Sequence, residues 1–192
     1  MKKISLIIVI IFLSNYSFSQ DHKFHLLLSA GANASQVNGD KLAGFDKFGL
    51  NMGAGIRRNI SQKAGIQLEF LYSEKGSRDV VSPSNPVPDT LFQFNYVDIP
   101  IVYTYQLYPK LNVELGIFNS IRTKASYSDF VNTYDRESII RSTDHGVLGG
   151  VNYQLIEHLS INARVSQSIF DINATIDRYF NLVTSFSIRY SL

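Results

Sequence analysis

Hydrophobicity alternates residue by residue along most of this chain after residue 23. Side chains on an extended strand point to opposite faces in turn, so a period of two marks strands with one apolar and one polar face. Eight stretches carry the pattern. Leu26, Leu28, Ala30 and Ala32 alternate with Leu27, Ser29, Gly31 and Asn33. Phe48, Leu50, Met52, Ala54 and Ile56 oppose Gly49, Asn51, Gly53, Gly55 and Arg57. Ile66, Leu68, Phe70 and Tyr72 oppose Gln67, Glu69, Leu71 and Ser73, and Val97 to Tyr105 oppose Tyr96, Asp98, Pro100, Val102 and Thr104. The remaining four begin near Leu111, Asp144, Leu159 and Leu182, the last running to Leu192.

Such strands of about nine to twelve residues are long enough to cross a bilayer when tilted. The connections alternate between short turns and long loops. Asn59-Ile60-Ser61-Gln62, Leu107-Tyr108-Pro109-Lys110 and Ile156-Glu157-His158 mark the short ones. The long ones include Ser82 to Asp89, whose three prolines forbid regular structure, and the polar stretch Ser126 to Thr143. Short turns on one side and long loops on the other are the rhythm of an outer-membrane barrel.

Two architectures share this alternation. A soluble exported barrel of lipocalin type buries its apolar face, whereas a membrane barrel turns that face to lipid. The lumen of eight strands is only wide enough to be filled by side chains. The apolar face, crowded with Leu, Ile, Phe and Tyr, would overfill it, while the Gly-, Ser- and Asn-rich face fits. Phe48, Tyr72, Phe94, Tyr105, Tyr153, Phe170 and Tyr190 lie toward strand ends, where interfacial girdles belong. The fold class expected is therefore an all-β, eight-stranded antiparallel up-and-down transmembrane barrel.

The N-terminus reads as a cleavable signal peptide. Lys2 and Lys3 precede an apolar run from Ile4 to Leu13, too short to span as a helix, and Ser17-Phe18-Ser19 offers small residues before a cut at Gln20. Residues 1–19 are thus the expected signal and 20–192 the expected barrel domain. With Lys2 and Lys3 removed the chain is close to neutral, and its basic residues are scattered, which excludes a nucleic-acid partner. The absence of cysteine removes disulfides, thiolate metal sites and a cysteine nucleophile.

The chain resembles the Bacteroidetes outer-membrane β-barrel family often called PorT-like. The segments that carry the resemblance are Ser29 to Ser35, Gly65 to Gly76, Tyr96-Val-Asp-Ile-Pro-Ile-Val-Tyr103, Leu115 to Phe118 and Asp144 to Tyr153. The resemblance implies the barrel fold and an outer-membrane location. One member of that family serves a secretion machinery, so an accessory role in protein secretion is one function it implies. The chain departs from the usual terminal Phe, ending in Tyr190-Ser191-Leu192.

Seven charged residues fall on the polar face: Arg57, Glu69, Asp98, Glu114, Asp144, Arg164 and Arg189. A buried charge without a partner costs several kcal/mol, so these are expected to form an internal salt-bridge network that plugs the lumen. A narrow polar channel is the alternative. No catalytic, cofactor-binding or metal residues are expected. His22, His25, His145 and His158 lack ligand spacing. An outer-rim enzyme assembled from Asp144, His145 and Ser126 or Ser128 is a further alternative without a motif behind it. Pro100 is expected to sit at a bulge. Arg78, Asp79, Asp129, Arg136, Glu137 and Arg141 place charge on the long loops, where contacts with envelope or secretion-complex proteins are expected. Outer-membrane lipid is the expected partner of the apolar face.

Overall fold

A computed structural model describes residues 24–40, 42, 44–79, 90–128, 132–135, 138–175 and 178–192. The expected signal peptide, His22, Ser82 to Asp89, Asp129, Arg136 and Glu137 lie outside the described residues. Among those described there are nine strands: β1 (Phe24–Asn38), β2 (Lys47–Asn59), β3 (Ala64–Arg78), β4 (Leu91–Tyr108), β5 (Leu111–Ser128), β6 (Thr133–Asp135), β7 (Thr143–Gln154), β8 (Leu159–Ser168) and β9 (Phe180–Ser191). Consecutive pairing from β1 to β5, then β5 with β7, β7 with β8, β8 with β9 and β9 back to β1 closes an eight-stranded antiparallel barrel. The three-residue β6 only extends the outer part of β5.

The two faces separate cleanly. Leu115 is 66% exposed on the outer surface, while its neighbour Glu114 is 2% exposed in the lumen. Leu26, Leu50, Ile66, Ile101, Val147, Ile161 and Phe186 cover the outside. Asn33, Asn51, Gln67, Thr104 and Asn162 are buried within. In water that outer surface would be an untenable apolar patch. In a bilayer it is the surface the solvent requires.

β4 and β5 reach 18 residues each, well beyond the nine to twelve expected from the alternation. Their hairpin continues past the membrane-crossing part at the long-loop end. β3 travels with it. After Ser73 its pairing with β2 ends, and its backbone is caught instead by side chains of β1. Asn33 Nδ2 donates to the Glu74 carbonyl at 3.1 Å and Ser35 Oγ to the Gly76 carbonyl at 3.0 Å. Gly76 has φ of 141°, and a Cβ there would stand 1.9 Å from the Phe92 carbonyl oxygen, so only glycine permits this close crossing.

Beneath the crossing lies an apolar cluster of Val37, Phe94, Tyr96, Ala125, Ile140 and Ile172. Phe94 therefore does not belong to an interfacial girdle; it is fully buried inside. It shares the inward parity of Tyr96 and Asp98, which overrides the usual interfacial preference of an aromatic ring. A register shift opposite Asn95 and Tyr96 leaves Thr123 unpaired and turns Ala125 back to the interior. Pro100, by contrast, is not at a shift. Its missing N–H interrupts the β3–β4 ladder between Leu68↔Ile101 and Leu71↔Asp98, and the register is the same on both sides.

Candidate functional site

Four of the seven expected lumen charges meet in one layer across the barrel. Glu69 comes from β3, Glu114 from β5, Arg164 from β8 and Arg189 from β9. Arg164 lies between the two carboxylates. Its Nη1 and Nη2 each donate to a Glu69 oxygen at 2.8 Å, and its Nε donates to Glu114 Oε2 at 2.7 Å. Arg189 Nη1 donates to Glu114 Oε1 at 2.8 Å, and its Nη2 lies 3.4 Å from Glu69 Oε1. Asn162 and Gln67 add amide hydrogen bonds to Glu114 at 3.1 and 3.4 Å.

The register explains how four long side chains share so narrow a space. Glu69 faces Gly55, Glu114 faces Thr104 and Gly150, Arg164 faces Gly150 and Ser185, and Arg189 faces Ser160 and Ser29. Each charge is thus flanked by small residues. Two carboxylates and two guanidinium groups sum to zero charge. Desolvating each ion costs several kcal/mol, and the bidentate and shared hydrogen bonds offset that cost only while the set is complete.

The other three expected residues lie apart from this layer. Asp98 pairs with Lys75, a residue not singled out from the sequence: Lys75 Nζ donates to Asp98 Oδ1 at 2.8 Å, and Ser120 Oγ donates to the same oxygen at 2.5 Å. Lys75 Nζ also sits 4.9 Å from the ring centres of both Tyr96 and Phe118. Asp144 accepts from Asn181 Nδ2 at 2.9 Å and has no ion pair among the described residues. Arg57 donates through Nε to Asn59 Oδ1 at 3.1 Å and lines a cavity of about 120 Å³ at the short-turn end. Lys75 was within reach of the sequence, since it continues the inward parity of Glu69, Leu71 and Ser73. The strand simply runs further than the alternation suggests.

A pocket bounded by Asn51, Asp98, Pro100, Phe118 and Arg164 holds about 30 Å³, room for roughly one water. Above it come the Lys75–Asp98 pair and then the apolar cluster.

The rim residues considered for catalysis are not brought together. Asp144 is buried and faces inward, while the adjacent His145 is exposed on the other face of β7, edge-on to Phe170. Ser126 is within β5, and Ser128 Oγ is 2.9 Å from Thr133 Oγ1. His158 at the short-turn end has Nδ1 2.8 Å from the Ser191 carbonyl oxygen. Among the described residues, no three His, Cys, Asp or Glu side chains converge as a metal site would need.

Comparison with known proteins agrees with this architecture. The family model described as "Outer membrane protein beta-barrel domain" matches residues 16–174. The fold is similar to the attachment invasion locus protein Ail of Yersinia pestis, at TM-score 0.55 and 16% identity over 88% of this chain and 99% of that one. It is also similar to Neisserial surface protein A, at TM-score 0.52 and 15% identity over 87% of this chain and 96% of that one. A search of curated proteins finds no match.

Proposed function

Since the chain belongs to the outer membrane protein beta-barrel domain family, we propose that it is a closed, non-conducting barrel that works through contacts made at its two ends. The barrel resides in the outer membrane, with lipid around its apolar surface. The observation that carries the proposal is the layer of Glu69, Glu114, Arg164 and Arg189, each side chain no more than 6% exposed. Ions locked in mutual hydrogen bonds leave no hydrated path through the middle of the lumen. The role of these residues on this reading is structural: they fill the bore. The Lys75–Asp98 pair and the apolar cluster close the long-loop end a second time.

Residues 1–19 act on this reading as a secretory leader, and residues 20–192 form the exported domain. Short turns of such barrels lie on the periplasmic side, which puts the turns near Ile60, Pro109 and Glu157 there and the long loops outside. The protein is not an enzyme on this reading. The separation of Asp144 from His145 across the β7 wall supports that. Its task is that of a structural or interaction barrel, serving as an accessory to protein secretion, which the sequence resemblance suggests.

Two measurements test the proposal. Purified protein in planar bilayers is expected to give no reproducible current, and steady channel events from the unaltered protein would overturn the closed-barrel reading. A strain lacking the chain is expected to lose secreted proteins from its medium. An unchanged secretome would remove the secretion role while leaving the closed barrel standing.

A further inference from the structure

The short-turn end carries a feature that a simple plug does not require. Arg57 sits on the inward face of β2, near the end of the strand, and its guanidinium has no carboxylate partner among the described residues. Its Nε is held by Asn59, which fixes the fork and leaves both terminal amino groups without a protein acceptor. The group borders two adjoining cavities. One, of about 120 Å³, is walled by amide and hydroxyl side chains, among them Gln67, Thr104, Asn112 and Asn152, and by the carboxylates of Glu114 and Glu157. The other reaches His25, Asn59 and His158.

We propose that this mouth is a binding site for a small carboxylate group, presented by a free acid or by the end of a peptide. The guanidinium fork matches a carboxylate in a planar, two-bond geometry. The cavity holds the volume of roughly four waters, enough for one such group with its first carbons. Amide side chains in the wall offer the donors and acceptors that a peptide backbone needs.

Charge favours a monoanion. Arg57 is the single unpaired guanidinium in the cavity wall; Arg189, which also lines it, is tied to Glu114 and Glu69. Glu114 and Glu157 also line the larger cavity, and Glu157 lines the second, so the wall carries little surplus positive charge beyond Arg57 itself. A dianion such as phosphate would meet both Glu157 and Glu114 with one free cation to balance it.

The test uses the full barrel in nanodiscs and titrates four probes: acetate, an acetylated tripeptide acid, the same tripeptide as its amide, and inorganic phosphate. The tripeptide acid is expected to bind saturably and its amide at least tenfold more weakly. Arg57→Gln is expected to lower affinity for the acid at least tenfold, and Arg57→Lys less. A heat-shift gel on each variant establishes that the barrel is folded. Acetate binding as tightly as the tripeptide acid identifies the free acid as the source; tighter tripeptide binding identifies the peptide end. Equal affinity for acid and amide, tighter binding of phosphate, or an Arg57→Gln barrel that is folded and binds unchanged would each overturn the proposal.

Discussion

Gly150 stands opposite Arg164 in the β7–β8 register, and a Cβ on it would lie 2.7 Å from Arg164 Cγ and 2.6 Å from the Ala163 carbonyl oxygen. One of those neighbours is backbone held in the barrel ladder, and the other belongs to a side chain pinned by two carboxylates. Neither can give way cheaply. Gly150→Ala is expected to destabilise the barrel by about 1–3 kcal/mol through overpacking. The chain has no Trp, so far-ultraviolet circular dichroism in urea is the suitable measurement. An unchanged midpoint would show that the lumen has slack the geometry denies.

Arg164 neutralises both carboxylates at once, so its removal leaves buried negative charge. Arg164→Met is expected to cost about 3–5 kcal/mol, the usual price of breaking a buried pair from one side. Arg164→Lys keeps the charge but not the fork, and is expected to fall between Met and the native residue. The same unfolding measurement orders the three.

The apolar cluster at the long-loop end is separate from the ion layer, and its loss is expected to act locally. Phe94→Ala removes a fully buried ring and is expected to cost that region about 3–5 kcal/mol. Hydrogen exchange is the measurement. Amides of Leu91 to Tyr96 and Ala125 to Ser128 are expected to lose protection, while those of the β8–β9 ladder keep theirs. Equal loss in both would show that the outer ribbon and the barrel wall unfold as one unit.

Asp40, in the turn after β1, accepts hydrogen bonds from Ser77 Oγ and from the Leu42 N–H, the latter at 2.9 Å. Burial nevertheless outweighs these bonds and holds its carboxyl above the usual value of 3.8. The folded state therefore binds the proton more tightly than the unfolded chain. Stability from this group is full below 3.8 and declines as pH rises through the raised value. Asp40→Asn keeps a carbonyl for both donors and is expected to flatten that decline. Urea midpoints measured from acid to neutral pH provide the check, and an identical slope in the variant would contradict it.

Much of this molecule was legible because barrel walls repeat one rule. Alternation through Leu111 to Phe118 gives the membrane face and the lumen face directly, and Glu69, Glu114, Arg164 and Arg189 fall on the inner one. What the pattern does not carry is where a strand stops and where its parity slips. β3 runs on past Ser73, so Lys75 went unnoticed as the partner of Asp98. The slip at Thr123 sends Ala125 inward, and no local residue preference announces it. An aromatic ring near a strand end, such as Phe94, has two uses, and only the continued parity of β4 distinguishes them. Nor does alternation say which inward charges share a level. Arg57 and Asp144 share the inner face with the others but join no ion pair among the described residues.

Arg189 lies on the last strand, 120 positions from Glu69. Without β9, Arg164 alone would face the two carboxylates, and that layer would carry one surplus negative charge. Completion of the wall and cancellation of that charge are consequently the same event. Closure of the wall and neutrality of the layer thus depend on one and the same strand.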